Sequence, residues 1–420
     1  VNAKSLEGLA CTDNGKGTMW TALNLDGITV KVNKADVAAD KDLTIGTDYE
    51  YDLGLSAISS VTLNGEVFSG YSFDNGTLII KAEALGISDV GAKTFKITAK
   101  DEKGYLVEFN FTVTAKIVAE DVTLSGVKEV VLSDGTEYAL DLGDYSSATV
   151  LSAVLGGDSV SYANGKLTLT NEFKENAQKH GNNTLNLTVE KDGKYYNVTA
   201  NVLVVTKEIT TYAELKDAVS HTTQQAKFGY YKLNNDITQA WINDGNNTDI
   251  NNGNGDSGFR GTLDGNNYSI TGTVGTGGLI GTIGRGAIIK NITITQNEYI
   301  ATRNLLGGSM TGATLENVVI NVKGKGTSAL PANRDGSKAW GGLLTGKYAQ
   351  SNVFKTVIIN AGNTDVDTLF GSGAYSGSST GNTFEKCSIT AKSLLALAYN
   401  NYEIAVPYAN VNGLTVNLAA

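Results

Sequence analysis

Asn291-Ile292-Thr293-Ile294 is the first of five short blocks that punctuate the last third of this chain. It returns as Asn317-Val318-Val319-Ile320, Thr356-Val357-Ile358-Ile359, Lys386-Cys387-Ser388-Ile389 and Gly413-Leu414-Thr415-Val416. A strand alternates its side chains, so the second and fourth residues of each block point one way and the third points the other. Stacking the copies predicts one inward ladder of Ile292, Val318, Val357, Cys387 and Leu414, and a second of Ile294, Ile320, Ile359, Ile389 and Val416. Upstream of each block lies a further apolar pair: Leu279-Ile280, Leu305-Leu306, Leu343-Leu344, Leu369-Phe370 and Leu394-Leu395. Units of this kind cannot bury their apolar face alone, which is the signature of a parallel β-solenoid.

Working outward, Thr211-Tyr212-Ala213-Glu214 is a capping box, followed by Leu215, Ala218 and Val219 at helical spacing. A short amphipathic helix there would cover the open first coil. Further upstream the chain repeats itself at longer range. Asp52-Leu53-Gly54 returns as Asp141-Leu142-Gly143 and Asn75-Gly76-Thr77-Leu78 as Asn164-Gly165-Lys166-Leu167, both 89 positions later. Each copy alternates short strands with Asn-Gly or Asp-Gly turns and ends in a long hairpin, as an antiparallel β-sandwich does. The expected organisation is a sandwich over 1–117, a second over 118–207 and the solenoid over 208–420, an all-β fold throughout.

Forty-nine Gly, two Pro and 41% hydrophobic residues in periodic order describe an ordered β-rich chain. A net charge of −10 argues against nucleic acid as a partner, since phosphate binding needs a basic face. No apolar run is long enough for a membrane helix, so direct membrane insertion is not expected. Cys11 and Cys387 lie at opposite ends of the chain and are expected to be unbridged, with Cys387 a small buried hydrophobe. A chain that starts at Val1 and stops inside a strand-like segment is expected to be a piece of something longer, with further domains.

The two N-terminal repeats resemble the immunoglobulin-like modules strung along bacterial surface proteins. Residues 228–295, including Phe259-Arg260-Gly261-Thr262-Leu263-Asp264-Gly265 and Gly277-Gly278-Leu279-Ile280-Gly281, resemble the GLUG-type repeats of such proteins. That second resemblance implies a right-handed β-helix on a secreted or wall-attached protein, assigned to adhesion or carbohydrate contact.

A polysaccharide lyase on such a fold needs clustered carboxylates for Ca²⁺ and a basic residue. All four arginines, Arg260, Arg285, Arg303 and Arg334, fall in the repeat region, but not at equivalent points of successive coils. A glycoside hydrolase needs paired carboxylates; Glu316 and Glu385 each precede a strand block, but Lys355 takes that place between them. Recurrent positions hold Gly, Asn, Leu, Ile and Val, while the charged residues wander, so no catalytic residues are assigned. His180 and His221 are expected at the solvated surface.

The Asn/Gly-rich segment with Asp244 and Asp249 spaces its oxygen donors as Ca²⁺ loops do, but it lacks a terminal bidentate Glu. Trp241, Trp340 and Tyr348 lie in or near long segments between blocks, where exposed aromatics stack on sugar rings. The expected ligand-binding residues are Trp241, Asp244, Asp249, Arg334, Trp340 and Tyr348, with no metal centre and no cofactor; a solvated insertion is favoured at 243–256, with Ca²⁺ binding there the alternative. The favoured reading is a non-catalytic extracellular surface protein that binds a glycan or host-cell ligand. Alternatives are a polysaccharide lyase or hydrolase, and a structural spacer or envelope assembly subunit.

Overall fold

A computed structural model describes residues 31–418 except 102–104, 133–134, 221–222, 243–257, 275–277, 298–303, 324–341, 347–348, 371–380, 401–402 and 407–410. The chain is all-β apart from short helices, and divides into two compact units: Val1–Glu120 with Glu190–Tyr196, and Asp121–Val189 with Asn197–Ala420.

In the first unit the strands Leu106–Lys116, Gly91–Lys100, Ala57–Leu63 and Glu66–Val67 form one sheet, and Tyr49–Asp52, Thr77–Ile80 and Tyr71–Asp74 form another. Both sheets contribute to one core, with Phe95, Phe111 and Ile97 from the first and Leu78 and Ile80 from the second. The second unit opens with the same strand order. Lys194–Val205, Gly181–Lys191, Thr149–Leu155 and Asp158–Ser159 form one sheet, and Glu137–Ala139, Lys166–Thr168 and Ser161–Ala163 the other. The sequence repeat is therefore a repeat of topology, and its shared motifs have shared jobs. Asp52 Oδ1 accepts the Gly54 N–H at 2.9 Å as Asp141 Oδ1 accepts that of Gly143 at 2.7 Å. Asn75-Gly76 and Asn164-Gly165 turn with φ of 46° and 89°, and of 50° and 73°, the left-handed pair that a type I′ hairpin requires.

Beyond Thr206 the pairing becomes parallel, except where Ser393–Asn400 turns back antiparallel onto Glu403–Val406. Lys207–Ile209, Tyr230–Leu233, Thr262–Asp264, Ile288–Gln296, Thr314–Val322, Val353–Asn360, Cys387–Ala391 and Leu414–Leu418 stack in that order as one long ladder. Between its later rungs the chain visits a second parallel set, Gly281–Ile283, Gly307–Thr311 and Ala349–Gln350, and then Asp365–Phe370 against Ser393–Asn400. Ile292 faces Val318 and then Val357, while Ile294 faces Ile320, Ile359, Ile389 and Val416 in turn. Ile292, Ile294, Val318, Ile320, Val357, Ile359, Cys387 and Ile389 are all buried in one core, with Leu414 and Val416 packed against it. The thiol of Cys387 is unbridged, approaches the carbonyls of Phe354 and Glu385 at 3.3 and 3.4 Å, and is pushed up in pKa by burial. Cys11 lies outside the described residues.

The upstream pairs stack as well. Leu279 N donates to Leu305 O, Leu305 N to Leu343 O, and Leu344 N to Leu369 O. The last of them does not follow. Phe370 stands opposite Ala398 and Leu394 opposite Val366, so a match of Leu394-Leu395 with Leu369-Phe370 is three residues out of register. Ser393–Asn400 is a long strand in which Leu394 and Leu397 are both buried, and apolar spacing by itself cannot choose between them. The capping box forms as read. Thr211 Oγ1 accepts the Glu214 N–H at 3.2 Å, Glu214 Oε2 accepts the Thr211 N–H at 3.0 Å, and Leu215, Ala218 and Val219 join the ladder's core.

Candidate functional site

Alternation along each rung leaves an outer face on the long ladder, and the register arranges its side chains in columns. One column reads Glu208, Lys232, Asp264, Lys290, Glu316, Lys355 and Glu385, each directly across from the next. The sign alternates at every rung. This corrects the expectation that charged residues wander: they recur two residues ahead of Ile292, Val318, Val357 and Cys387. Because the charge reverses from copy to copy, no residue type repeats in successive copies, and a comparison of identities between neighbouring blocks passes over the column. Neighbouring strands stand about 4.8 Å apart, so an inner carboxylate has an ammonium on both sides and like charges are about 10 Å apart.

Asp264 is the most firmly held member. Tyr230 OH donates to its Oδ2 at 2.6 Å and Lys290 Nζ lies 3.3 Å from the same oxygen. Asn266 N–H and Asn291 Nδ2 donate to Oδ1 at 3.0 and 3.1 Å. Burial by itself raises the pKa of this carboxyl, but the surrounding donors outweigh it and hold the group below its ordinary value. Burial and the adjacent carboxylate push the Tyr230 hydroxyl up. Asp264 is a fixed anion rather than a proton donor near neutrality.

The next column kinks the last five rungs. Asn291, Asn317, Thr356 and Lys386 have φ of 51°, 53°, 53° and 53°, and Asn317 Nδ2 donates to Asn291 Oδ1 at 3.2 Å. In the last rung Gly413 takes the kink at φ 79°, where a Cβ would stand 1.9 Å from Phe384 O. Beyond the kink two more outward columns run along the face. One is Ser269, Thr293, Val319, Ile358, Ser388 and Thr415; the other is Thr271, Thr295, Asn321, Asn360, Thr390 and Asn417. Asn360 Nδ2 donates to Asn321 Oδ1 at 3.0 Å, and Asn360, Thr390 and Asn417 are exposed. The face thus offers amides and hydroxyls at one-rung intervals beside branched apolar side chains, bordered by a column whose charges alternate in sign.

Of the residues expected to bind ligand, Trp241 lies in the strand Ile237–Ile242, across from Thr273 beside an irregularity in the pairing. Asp244, Asp249, Arg334, Trp340 and Tyr348 lie outside the described residues, as does the 243–256 segment considered for Ca²⁺. Arg260 donates from Nε to Arg285 O at 3.1 Å and lies 5.2 Å from the Phe228 ring centre; Arg303 lies outside the described residues. His180 corrects the surface expectation. Its Nδ1 is 2.8 Å from Thr206 Oγ1, its ring lies against buried Phe173, and burial lowers its pKa. His221 lies outside the described residues. Among the described residues no group of three or more His, Cys, Asp or Glu is placed to hold a metal ion, and no helix is long and apolar enough to cross a membrane.

No family model matches the chain, and no curated protein matches it. Solved structures that align with it include the N-terminal four Ig domains of Dscam1 isoform 6.9, at 13% identity and a TM-score of 0.20, over 41% of this chain and 44% of that one. A Bacteroides ovatus mixed-linkage glucan utilization locus protein, SGBP-B, in complex with a mixed-linkage heptasaccharide, aligns at 16% identity and a TM-score of 0.14, over 43% of this chain and 47% of that one. Titin-A168169 aligns at 8% identity and a TM-score of 0.18, over 41% of this chain and 95% of that one. The chain therefore spans less than half the length of the first two structures it matches.

Proposed function

We propose that this chain is a non-catalytic binding segment of an extracellular, cell-surface protein, in which two immunoglobulin-like modules carry a right-handed β-solenoid with GLUG-like repeats. Parallel crossovers within one sheet are right-handed in about 98% of cases, which supports the handedness. The ligand class is an extended, polar surface polymer such as a glycan. The observation that carries the reading is the Asn321–Asn360 column at one-rung spacing beside Val319 and Ile358, next to a column of alternating charges. Such a face suits repeated hydrogen bonds to one long ligand, while its best-held carboxylate is kept ionised and is therefore a poor general acid. The test is a glycan-array screen of the full chain, with reducing-end and unsaturated-product assays on every hit. Binding without product supports the reading, and product formation or an empty array opposes it.

A further inference from the structure

Thr206 stands between the last strand of the second two-sheet module, Lys194–Val205, and the first rung of the ladder, Lys207–Ile209. It is tied to the next rung twice: Thr206 N donates to Tyr230 O at 2.8 Å, and Thr206 Oγ1 accepts the Tyr230 N–H at 2.8 Å. The Thr206 hydroxyl also lies 2.8 Å from His180 Nδ1, and in the neutral tautomer with a bare Nδ1 it donates there while its oxygen accepts from Tyr230. In that tautomer the imidazole carries its own proton on Nε2, an atom sealed from water and without a hydrogen bond of its own. Other contacts cross the same joint. Lys232 Nζ meets Glu129 Oε2 at 2.6 Å, Gln225 Nε2 donates to Lys174 O at 3.4 Å, and a Cβ on Gly181 would meet the Tyr230 ring.

We propose that His180 is an acid-sensitive latch: its neutral ring completes the joint between the second module and the ladder, and protonation of the ring loosens that joint. A protonated Nδ1 would point a second donor at Thr206 Oγ1 and leave the threonine proton without its acceptor. The new charge would also sit in a largely buried site, where the cost of burial outweighs the help of the Phe173 and Lys174 backbone. The charged groups on the surrounding elements do not offset it. Lys179 is engaged with Asp158, Lys174 reaches Gly135 O, Glu172 is exposed and Lys227 lies over Phe228. Among the described residues no carboxylate hydrogen-bonds the imidazole. Burial holds the folded pKa below 6.5, so the stabilisation by the neutral ring is complete above pH 6.5 and is lost as pH falls through the folded value.

The experiment is amide hydrogen exchange on the full chain at pH 7.5 and pH 5, corrected for intrinsic rates, for wild type and His180→Gln. The latch predicts that wild type loses protection at Thr206 and Tyr230 at pH 5, relative to Ile320 in the ladder, and that His180→Gln does not. Equal pH sensitivity in both proteins, or none in wild type, overturns it. If His180→Gln fails to fold, the imidazole of His180 is titrated by NMR in a His221→Gln background, which leaves one histidine. A midpoint below pH 6.5 supports the latch, and one at or above 6.5 overturns it.

Discussion

Lys290 Nζ lies 3.3 Å from Asp264 Oδ2 across one rung of the long ladder, and 5.3 Å from the ring centre of Tyr230, whose hydroxyl holds that same oxygen. One ammonium thereby joins two rungs and a buried phenol. It is the most enclosed link of a column whose outer members, Lys355 and Glu385, are exposed.

That column is tested at an exposed rung. Lys355→Glu would place three carboxylates in line with Glu316 and Glu385. Like charges directly opposite one another cost about 0.2–1 kcal/mol per pair. The variant should melt below wild type in low salt, and the difference should shrink at 1 M salt, where the Debye length is about 3 Å. A salt-independent difference would show that the column is not held by its charges.

The register makes a sharper demand. Ile320 is buried between Ile294 and Ile359, whereas Thr293, one position from Ile294, faces outward. Ile320→Asp should cost several kcal/mol because an unpaired carboxylate is placed in an apolar core. Thr293→Asp should be mild. Similar losses in thermal unfolding for the two variants would mean that the faces are wrongly assigned.

Thr356 is a β-branched residue at φ 53°, in a column where the earlier rungs use Asn291 and Asn317. A left-handed conformation costs a branched L-residue about 1–2 kcal/mol, and asparagine tolerates it better. Thr356→Asn should therefore raise stability, by up to about 1 kcal/mol. Chemical denaturation showing a loss would indicate that the threonine methyl packs in a way that outweighs the strain.

Glu214 carries the pH dependence of the capping helix. Hydrogen bonds from the Thr210 hydroxyl and the Thr210 amide, with further help from the Thr211 amide and Lys207, hold its carboxyl at about 2, against an ordinary value of 4.5. A carboxyl depressed on folding adds stability that is complete above pH 4.5 and disappears as pH falls through about 2. The melting difference between wild type and Glu214→Gln should be constant from pH 7 to 5 and close as the pH approaches 2. A difference that persists there would assign the effect to packing.

Much of this architecture was legible because apolar residues and turn residues repeat by identity. Asp-Leu-Gly and Asn-Gly return because each makes the same turn, and Ile292 to Val416 return because each fills the same layer. The charged column was legible only in its later members: Glu316, Lys355 and Glu385 share a place ahead of their blocks, but the alternation of sign read as a broken pair of carboxylates and hid the continuation to Lys290, Asp264, Lys232 and Glu208. His180 was misread because a lone histidine in a polar stretch says nothing of the phenylalanine and threonine that fold over it. The second ladder slipped at Leu394 because Leu394 and Leu397 offer equivalent apolar spacing, and the choice is made by pairing with Val366 and Phe370.

The most direct test of the binding face takes the strongest array ligand and titrates it calorimetrically into the full chain and into Asn321→Ala/Asn360→Ala, assaying the same samples for new reducing ends. Each lost neutral hydrogen bond is worth about 0.5–1.5 kcal/mol, so the double variant should bind about tenfold more weakly, with an unchanged melting profile and no product from either protein. Undiminished affinity in the variant, or product accumulating with wild type, would contradict a non-catalytic site on this face.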